Sequence, residues 1–273
     1  MPRPTPIPDS RRSPNHQLVF VGHRGAAGIA PENTLASFQA ALVAGVQMVE
    51  LDVHLSRDGQ LVVMHDSRVD RTTNGQGRVS DLTLAQLREL DAAAHFAGKT
   101  RYGVQRIPIL DEVFDLVQGW ARVNVEIKLA AKDRPYPGIE RKLVQCLRRR
   151  QAIADTIIAS FDVPTLQRLR AIEPRLDCLA IVSTAQFPYA DPCAAAQSVA
   201  RLVHSGLQGV AIDRRCLSEE VMLLLKRARL RVAVWVINDI AQMWQFESMG
   251  VDYLTTDRPD LLLPAYRQEE QRA

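Results

Sequence analysis

Residues 18–55 read LVFVGHRGAAGIAPENTLASFQAALVAGVQMVELDVHL. The stretch begins with a short apolar run, Leu18–Gly22, which has the form of a strand buried on both faces. Asn33 or Thr34 then caps a helix, and a second apolar run follows at Val46–Leu55. The stretch is therefore predicted to be one strand–helix–strand unit.

A hairpin follows this unit. Asp58-Gly59 is a strong turn signal, so Leu61–Met64 is predicted to return antiparallel to the second strand. A two-residue loop would place Asp52 opposite His65, with their Cβ atoms roughly 4.5–5.5 Å apart on one face. A slip of one residue in this register would turn His65 to the other face.

Strand and helix patterns alternate along the rest of the chain. The further strands are predicted at residues 123–127, 156–160, 178–182, 209–212, 232–237 and 253–255. Without the hairpin return, this makes eight main strands, each followed by a helix, which predicts an α/β fold of the closed (β/α)8 TIM-barrel type. A doubly wound open sheet is the alternative, but no Gly-x-Gly-x-x-Gly turn follows the first strand.

The predicted barrel domain covers residues 18–265. Residues 66–108 form a long excursion after the second strand, which we interpret as a small insertion near the functional site. Residues 1–17, rich in Pro and Arg, are predicted to be a disordered leader, because they lack the apolar core of a signal peptide.

The composition indicates a soluble protein. The hydrophobic fraction of 47% and the charged fraction of 24% are ordinary for a globular domain. A net charge of +3 gives no basis for nucleic-acid binding, and no apolar run is long enough for membrane insertion. The four cysteines lack the short spacings of a zinc or disulfide framework, so a cytoplasmic location is expected. The oligomeric state stays open.

Charged residues lie at the ends of two predicted barrel strands. Glu50 and Asp52 are spaced i, i+2, and so are Glu126 and Lys128, so each pair points to one face of its strand. Active sites of such barrels are built at the carboxyl ends of the strands. An ion-pair network is the alternative for any single pair, but oxygen-only ligands also suit one divalent cation, Mg²⁺ or Ca²⁺.

Two histidines and an arginine complete the pattern. His23 and Arg24 follow the first strand, and His65 follows the hairpin return. Two histidines allow one to accept the proton of a nucleophile while the other protonates the leaving alcohol. The residues thus predict metal-dependent cleavage of a phosphate ester, in which Arg24 and Lys128 hold the phosphate.

Several motifs together carry a family resemblance. They are Gly22-His23-Arg24-Gly25, Ala30-Pro31-Glu32-Asn33-Thr34, Glu50-Leu51-Asp52-Val53, Asp58-Gly59, Val63-Met64-His65-Asp66, Thr72-Thr73-Asn74-Gly75, Glu126-Ile127-Lys128 and Thr256-Asp257-Arg258-Pro259. From about residue 18 to 263 the chain resembles the glycerophosphodiester phosphodiesterase family, in particular its short cytosolic bacterial members. The resemblance implies a hydrolase that converts a small-molecule glycerophosphodiester to an alcohol and sn-glycerol 3-phosphate through a cyclic phosphate.

The resemblance also implies residue roles. By position it assigns the metal ligands to Glu50, Asp52 and Glu126, the acid–base pair to His23 and His65, and the phosphate contacts to Arg24 and Lys128. Trp235 resembles an aromatic residue of the family's glycerol pocket, with plain barrel core as its alternative. Phe161 is a weaker candidate of the same kind.

Other readings of the same chain remain. A lysophospholipid substrate is the alternative within enzymes, and a non-catalytic barrel that binds phosphate esters is a less favoured one. His54 is expected to make a supporting hydrogen bond or to lie at the solvent edge, and His95 is expected on the surface. Asn33 and Asp257 are interpreted first as helix caps.

Overall fold

A closed barrel of parallel strands forms the centre of the protein. The computed structural model describes residues 18–130 and 134–270, so the leader expected over residues 1–17 lies outside the described residues. The strands are β1 (Val19–Gly22), β2 (Met48–Leu55), β3 (Leu61–Val63), β4 (Arg122–Ile127), β5 (Thr156–Ser160), β6 (Asp177–Val182), β7 (Gly209–Asp213), β8 (Arg231–Trp235) and β9 (Tyr253–Thr256).

Hydrogen bonding closes the sheet into a ring. Strand β1 pairs in parallel with both β2 and β9, and β4 to β9 are neighbours in chain order, with β4 beside β2. Among the strands of the described residues, only β3 is antiparallel, and it pairs with the carboxyl-terminal part of β2. Because the eight parallel strands of the described chain close on themselves, the predicted (β/α)8 barrel is confirmed and the open-sheet alternative is wrong.

Helices follow the barrel strands and cover the outside of the ring. They are α1 (Leu35–Ala44), α2 (Leu84–Arg88), α3 (Lys99–Tyr102), α4 (Leu110–Val117), α5 (Ile139–Arg149), α6 (Val163–Ile172), α7 (Pro192–His204), α8 (Glu219–Arg227), α9 (Ile240–Met249) and α10 (Pro259–Glu270). Helices α2 and α3 belong to the insertion, and the other eight each follow one barrel strand.

The strands are buried on both faces. All eight residues of β2 are buried, Glu50 and Asp52 included, because both faces of a strand in a parallel barrel are covered. Outside the ring, Phe38 of α1 is fully buried in the layer between helices and sheet, where burial of such a side chain is worth about 1.5–3 kcal/mol. Inside the ring, a smaller cluster that includes Met48 and Ile157 fills the floor beneath the strand ends.

The hairpin is present, but its predicted register is wrong by one residue. Val53 pairs with Val63, and the backbone N–H of Met64 donates to the Asp52 carbonyl oxygen at 3.0 Å, so Met64 and not His65 lies opposite Asp52. The turn is one residue longer than predicted, because Gly59 adopts a left-handed φ of +76° and adds a bulge.

The insertion between β3 and α4 has its own small core. The helix at its centre, α2, is short and spans Leu84–Arg88. Apolar side chains of the insertion, among them Val69 and Leu87, pack with Val62 and Ile107 in a separate buried cluster. Most apolar residues of the insertion therefore face inward, although Val104 stays exposed.

Candidate active site

A cavity of about 220 Å³ opens at the carboxyl ends of the barrel strands. Seven of the eight residues predicted for the site line it: His23, Arg24, Glu50, His65, Glu126, Lys128 and Trp235. The eighth, Asp52, is buried directly behind, where it pairs across strands with Glu126. The structure therefore brings the whole predicted set to one place.

Three carboxylates form the acidic centre of the cavity. Glu50, Asp52 and Glu126 each offer one oxygen atom, and these atoms lie within 4.8 Å of one another. Burial raises the pKa of Glu50 to about 8, with the charge of Asp52 adding to the effect, and burial also raises the pKa of Glu126. The Oδ1 atom of Asp52 is buried and accepts no hydrogen bond from the described residues. Crowded, desolvated oxygens of this kind fit a hard divalent cation.

Two cations flank the carboxylates. The Nζ atom of Lys128 lies 2.7 Å from Glu126 Oε1 and 3.4 Å from Asp52 Oδ1, while Arg24 Nε lies 3.5 Å from Asp52 Oδ2. Burial on its own would raise the pKa of Asp52, but Lys128 and Arg24 hold it well below its ordinary value. Both cations reach the cavity and are therefore placed to attract a phosphate.

The turn after β1 aims Arg24 at this centre. Arg24 has a φ of +49°, which is uncommon for a residue with a side chain and is typical of functional sites. Its backbone N–H donates to Glu50 Oε2 at 2.8 Å. A Cβ at Gly22 would lie 2.2 Å from the Gly25 carbonyl oxygen, so the tight turn requires glycine there.

The carboxylate of Asp257 orients His23. Asp257 is the residue that the sequence analysis interpreted as a helix cap. Asp257 Oδ1 accepts from His23 Nδ1 at 2.6 Å, and Asn238 donates to Asp257 Oδ2 at 2.7 Å. The cap interpretation of Asp257 is wrong, because closure of the barrel between β1 and β9 brings Asp257 beside His23. Burial lowers the pKa of His23, but the bond to Asp257 and the charge of Glu50 outweigh it and leave the pKa raised.

His65 has an equivalent partner in the next residue. Its Nδ1 atom is 2.6 Å from Asp66 Oδ1, and Arg71 donates to Asp66 Oδ2 at 2.6 Å. Arg71 also pairs with Glu32, and Glu32 accepts a hydrogen bond from Arg24 at 2.9 Å. These ion pairs therefore connect the His65 side of the cavity to Arg24. Burial lowers the pKa of His65, and the charge of Asp52 opposes this only in part.

His65 reaches the cavity despite the shifted register. Strand β3 ends at Val63, so the alternation of faces along a strand no longer applies two residues later. His54 supports this turn from below, since its Nε2 atom lies 3.0 Å from the His65 carbonyl oxygen and its Nδ1 atom 2.8 Å from the Tyr136 hydroxyl. Burial lowers the pKa of His54 to about 4, so the ring is neutral.

Asn33 belongs to the site and does not cap a helix. The cap of α1 is Thr34, whose side chain accepts from the Ser37 backbone N–H. Asn33 instead adopts a φ of +57° and donates from Nδ2 to Asp52 Oδ2 at 2.8 Å. Its amide therefore fixes the buried carboxylate, which the cap interpretation missed.

Aromatic side chains form another part of the cavity wall. The rings of Trp235 and Phe161 meet edge to face with centroids 6.4 Å apart, and both line the cavity. Phe161 also faces an adjoining outer groove of about 800 Å³, whose lining includes Asp66, Asp162 and Gln186. His95 is exposed within the insertion, as expected.

Comparison with known proteins agrees with this geometry. The sequence model of the glycerophosphoryl diester phosphodiesterase family matches residues 23–261. The chain belongs to this family. A glycerophosphodiester phosphodiesterase of Caldanaerobacter subterraneus subsp. tengcongensis is 34% identical to it, over 92% of this chain and 99% of that one. A second, from Bacillus subtilis, is 30% identical over 90% of this chain and 85% of that one.

A solved structure of the family extends the comparison. The phosphodiesterase of Oleispira antarctica, in complex with the product sn-glycerol-3-phosphate, superposes with a TM-score of 0.78 at 28% identity. The match covers 91% of this chain and 96% of that one. In the described part of our chain, no helix is both long and apolar enough to cross a membrane.

Proposed function

We propose that this protein hydrolyses glycerophosphodiesters to an alcohol and sn-glycerol 3-phosphate, with one divalent cation, Mg²⁺ or Ca²⁺, and with residues 18–265 as the catalytic domain. The observation that carries the proposal is the meeting of three carboxylates, two cations and two carboxylate-bound histidines in one cavity. The product complex of the Oleispira antarctica relative supports the same substrate class.

The residues divide into a charge-holding set and a proton-transfer set. Glu50, Asp52 and Glu126 would hold the cation, which when bound supplies positive charge to a phosphate oxygen. Arg24 and Lys128 reach the same space and stabilise charge that develops on the phosphate. Since the side chains of Arg24 and Lys128 are already held by the carboxylates, they need to move little when a phosphate enters.

Proton transfer falls to the two histidines. Each uses Nδ1 for its aspartate, which leaves Nε2 for the substrate. In the first step a hydroxyl oxygen of the glycerol moiety bonds to phosphorus and the bond to the alcohol breaks. One of His23 and His65 takes the hydroxyl proton, and the other protonates the leaving oxygen. Water then opens the cyclic phosphate, with the proton transfers reversed.

The shape of the site favours a compact polar substrate over a lysophospholipid. The cavity of about 220 Å³ lies below the ~300–1,000 Å³ of pockets for drug-sized ligands. The outer groove offers room for the alcohol, but polar residues such as Asp162 and Gln186 line much of it. Most apolar residues of the insertion, among them Val69 and Leu87, are packed in their own cluster, and no apolar residue of the insertion lines the cavity or the outer groove.

A ³¹P NMR assay tests the proposal. We expect release of sn-glycerol 3-phosphate from glycerophosphocholine and glycerophosphoethanolamine, with slower turnover of lysophosphatidylcholine, after addition of Mg²⁺ or Ca²⁺ in turn. Faster turnover of lysophosphatidylcholine would favour the lysophospholipase alternative. Binding of glycerophosphocholine without turnover would favour the non-catalytic barrel.

Asp257→Asn tests the orientation of His23. The amide keeps the size of the side chain but removes the charge that accepts from Nδ1 at 2.6 Å. We expect kcat to fall at least about 10-fold. The fall should not exceed the contribution of an acid–base histidine itself, which is roughly 10²–10⁴-fold. Because Asp257 raises the pKa of His23, the limb of the pH–rate profile that reports His23 should move to lower pH.

The matched control for this variant is Asp260→Asn. Asp260 lies three residues further on and pairs with Arg258 outside the cavity, so its replacement should leave the profile unchanged. A fall in kcat with no shift of either limb would contradict the assignment of Asp257 to His23.

A further inference from the structure

One arginine of the insertion pairs with two carboxylates beside the cavity. Arg71 donates from Nε and Nη2 to the carboxylate of Asp66, at 2.6 and 3.1 Å. It also donates from Nη1 and Nη2 to the carboxylate of Glu32, at 2.9 and 2.6 Å. The guanidinium group therefore makes two bidentate contacts at once, a geometry that its planar fork permits and that an ammonium group cannot form.

Each of these carboxylates contacts a residue of the proposed site. Asp66 Oδ1 lies 2.6 Å from His65 Nδ1, and Glu32 accepts from Arg24 Nη1 at 2.9 Å. His65 lies two residues after the end of β3, whereas Arg24 lies in the turn after β1. Arg71 is thus connected, through one carboxylate each, to two groups that lie on different loops.

The backbone around Arg71 is fixed, although the side chain itself is half exposed. Val69 and Thr73 on either side are buried, and Thr73 donates from its hydroxyl and its backbone N–H to the Val69 carbonyl oxygen, at 2.8 and 3.1 Å. The insertion contacts the loop between β1 and α1 at a second point, where the Tyr102 hydroxyl donates to the Ile29 carbonyl oxygen at 2.7 Å. Arg71 therefore extends from an anchored turn.

The two carboxylates would repel each other without this arginine. The Nη2 atom of Arg71 lies within 3.1 Å of both Glu32 and Asp66, so their oxygen atoms are close neighbours. Burial on its own would raise the pKa of Asp66, but the bonds to Arg71 and His65 lower it to about 2. The pKa of Glu32 is lowered in the same way, against the effect of burial, by Arg71 and Arg24. Both carboxylates are therefore charged at neutral pH, and like charges at this range repel.

We infer that Arg71 is a positioning residue, which holds His65 through Asp66 and Arg24 through Glu32 at a fixed separation. The inference rests on the proposed function, because it takes His65 to transfer a proton and Arg24 to bind the phosphate. Arg71 lines neither the cavity nor the outer groove, so it acts through the two carboxylates and not on the substrate. The insertion thus contributes alignment of reacting groups, whose misplacement by about 1 Å can cost roughly 10²-fold in rate.

Arg71→Met tests the inference with glycerophosphocholine as substrate. Methionine has neither the charge nor the fork of arginine, so we expect kcat to fall about 10–100-fold. KM should change less than kcat, because Arg71 does not contact the substrate. Arg71→Lys keeps the charge but loses the double fork, so it should restore only part of kcat. An unchanged kcat in Arg71→Met, or full recovery in Arg71→Lys, would overturn the inference.

Arg68→Met is the matched control. Arg68 lies in the same segment, its side chain is similarly exposed, and it pairs with Asp70 at 2.9 Å without lining the cavity or the outer groove. Its replacement should leave kcat unchanged. Because exposed ion pairs contribute little to stability, Tm should fall by less than about 5 °C in both variants. A larger fall in Arg71→Met alone would indicate a structural role and count against the inference.

A double-mutant cycle tests whether Arg71 acts through His65. Arg71→Met should reduce kcat less in the His65→Ala protein than in the wild type, because one of the two groups that Arg71 holds is then absent. The two reductions should differ by at least about 2-fold, as expected for coupled neighbours. Equal reductions in both backgrounds would show that the two residues act independently and would overturn the inference.

The His65 ring reports on Arg71 without any turnover. A ¹H–¹³C NMR titration of the histidine rings measures the pKa of His65, whose signal is the one absent from the His65→Ala spectrum. Loss of the Arg71 charge leaves Asp66 without its cation, so the pKa of His65 should rise in Arg71→Met and stay unchanged in Arg68→Met. An unchanged or lower pKa of His65 in Arg71→Met would contradict the inference.

The outcomes also separate this inference from the proposed function. If the wild type releases no product from any glycerophosphodiester, but the pKa of His65 rises in Arg71→Met and not in Arg68→Met, only the proposed function is contradicted. If the wild type and Arg71→Met hydrolyse glycerophosphocholine equally fast, with the same pKa of His65, only the inference is contradicted.

Discussion

Replacement of His65 by alanine is expected to lower kcat for glycerophosphocholine by roughly 10²–10⁴-fold, the usual contribution of a general acid or base. Asp66 holds the ring through Nδ1 at 2.6 Å, and the His54 side chain supports the backbone of the same turn. The ring thus faces the cavity in a fixed orientation. KM should change less than kcat, because the lost interaction is made with a proton in transfer.

His95→Ala is the control for this experiment. His95 lies in the insertion that follows His65, but it is exposed and does not line the cavity, so its loss should leave kcat unchanged. Imidazole added to the His65→Ala protein should restore part of the turnover, because it can occupy the vacated space and carry the proton. An unchanged kcat in His65→Ala would remove this residue from the mechanism.

The barrel could be predicted because it depends on local patterns. Most of the parallel strands are covered on both faces and appear as mainly apolar runs, and several helices between them begin at a capping side chain, such as Thr34, Ser218 and Asp239. Strand β5 was predicted at its observed bounds. Helix α9 also carries local signals at both ends, since Asp239 caps it and Gly250 ends it. The order of elements then leaves few topologies.

The hairpin register could not be predicted in the same way. Asp58-Gly59 is compatible with a two-residue loop and with a three-residue loop that ends in a left-handed glycine. The second form is stabilised by contacts that the turn sequence alone does not show. Asp58 accepts from the Ser56 hydroxyl and from the backbone N–H of Leu84, which lies in the insertion.

The missed site residues depend on contacts between distant parts of the chain. Asp257 and His23 are separated by 234 positions, and only the pairing of β9 with β1 brings them together. Asp257 lies two residues before Pro259, a pattern that also fits a helix start, so the local sequence favoured the wrong role. For Asp66, adjacency to His65 was a usable signal, whereas its partner Arg71 was visible only in the fold.

Removal of the metal is expected to abolish turnover, with recovery when Mg²⁺ or Ca²⁺ is added back. Three carboxylates meet at the cavity, and burial with mutual repulsion raises the pKa of Glu50 to about 8. Lys128 and Arg24 stabilise the charged form of Asp52, but the pKa of Glu50 stays raised. A bound cation would remove the repulsion and complete the positive surface that a phosphate requires. Full activity in excess chelator would exclude a metal role.

Glu126→Gln tests the same site within the chain. The variant keeps the shape of the side chain but removes one ligand charge, so we expect Mg²⁺ and Ca²⁺ affinity to fall by more than the roughly 10–100-fold typical of residues that only support a ligand. Glu140→Gln is a matched control, because Glu140 is also buried but pairs with Arg168 outside the cavity. Calorimetric titration with each metal measures both variants. Wild-type affinity in Glu126→Gln would contradict the assignment of Glu126 as a metal ligand and leave only Glu50 and Asp52 of the three carboxylates.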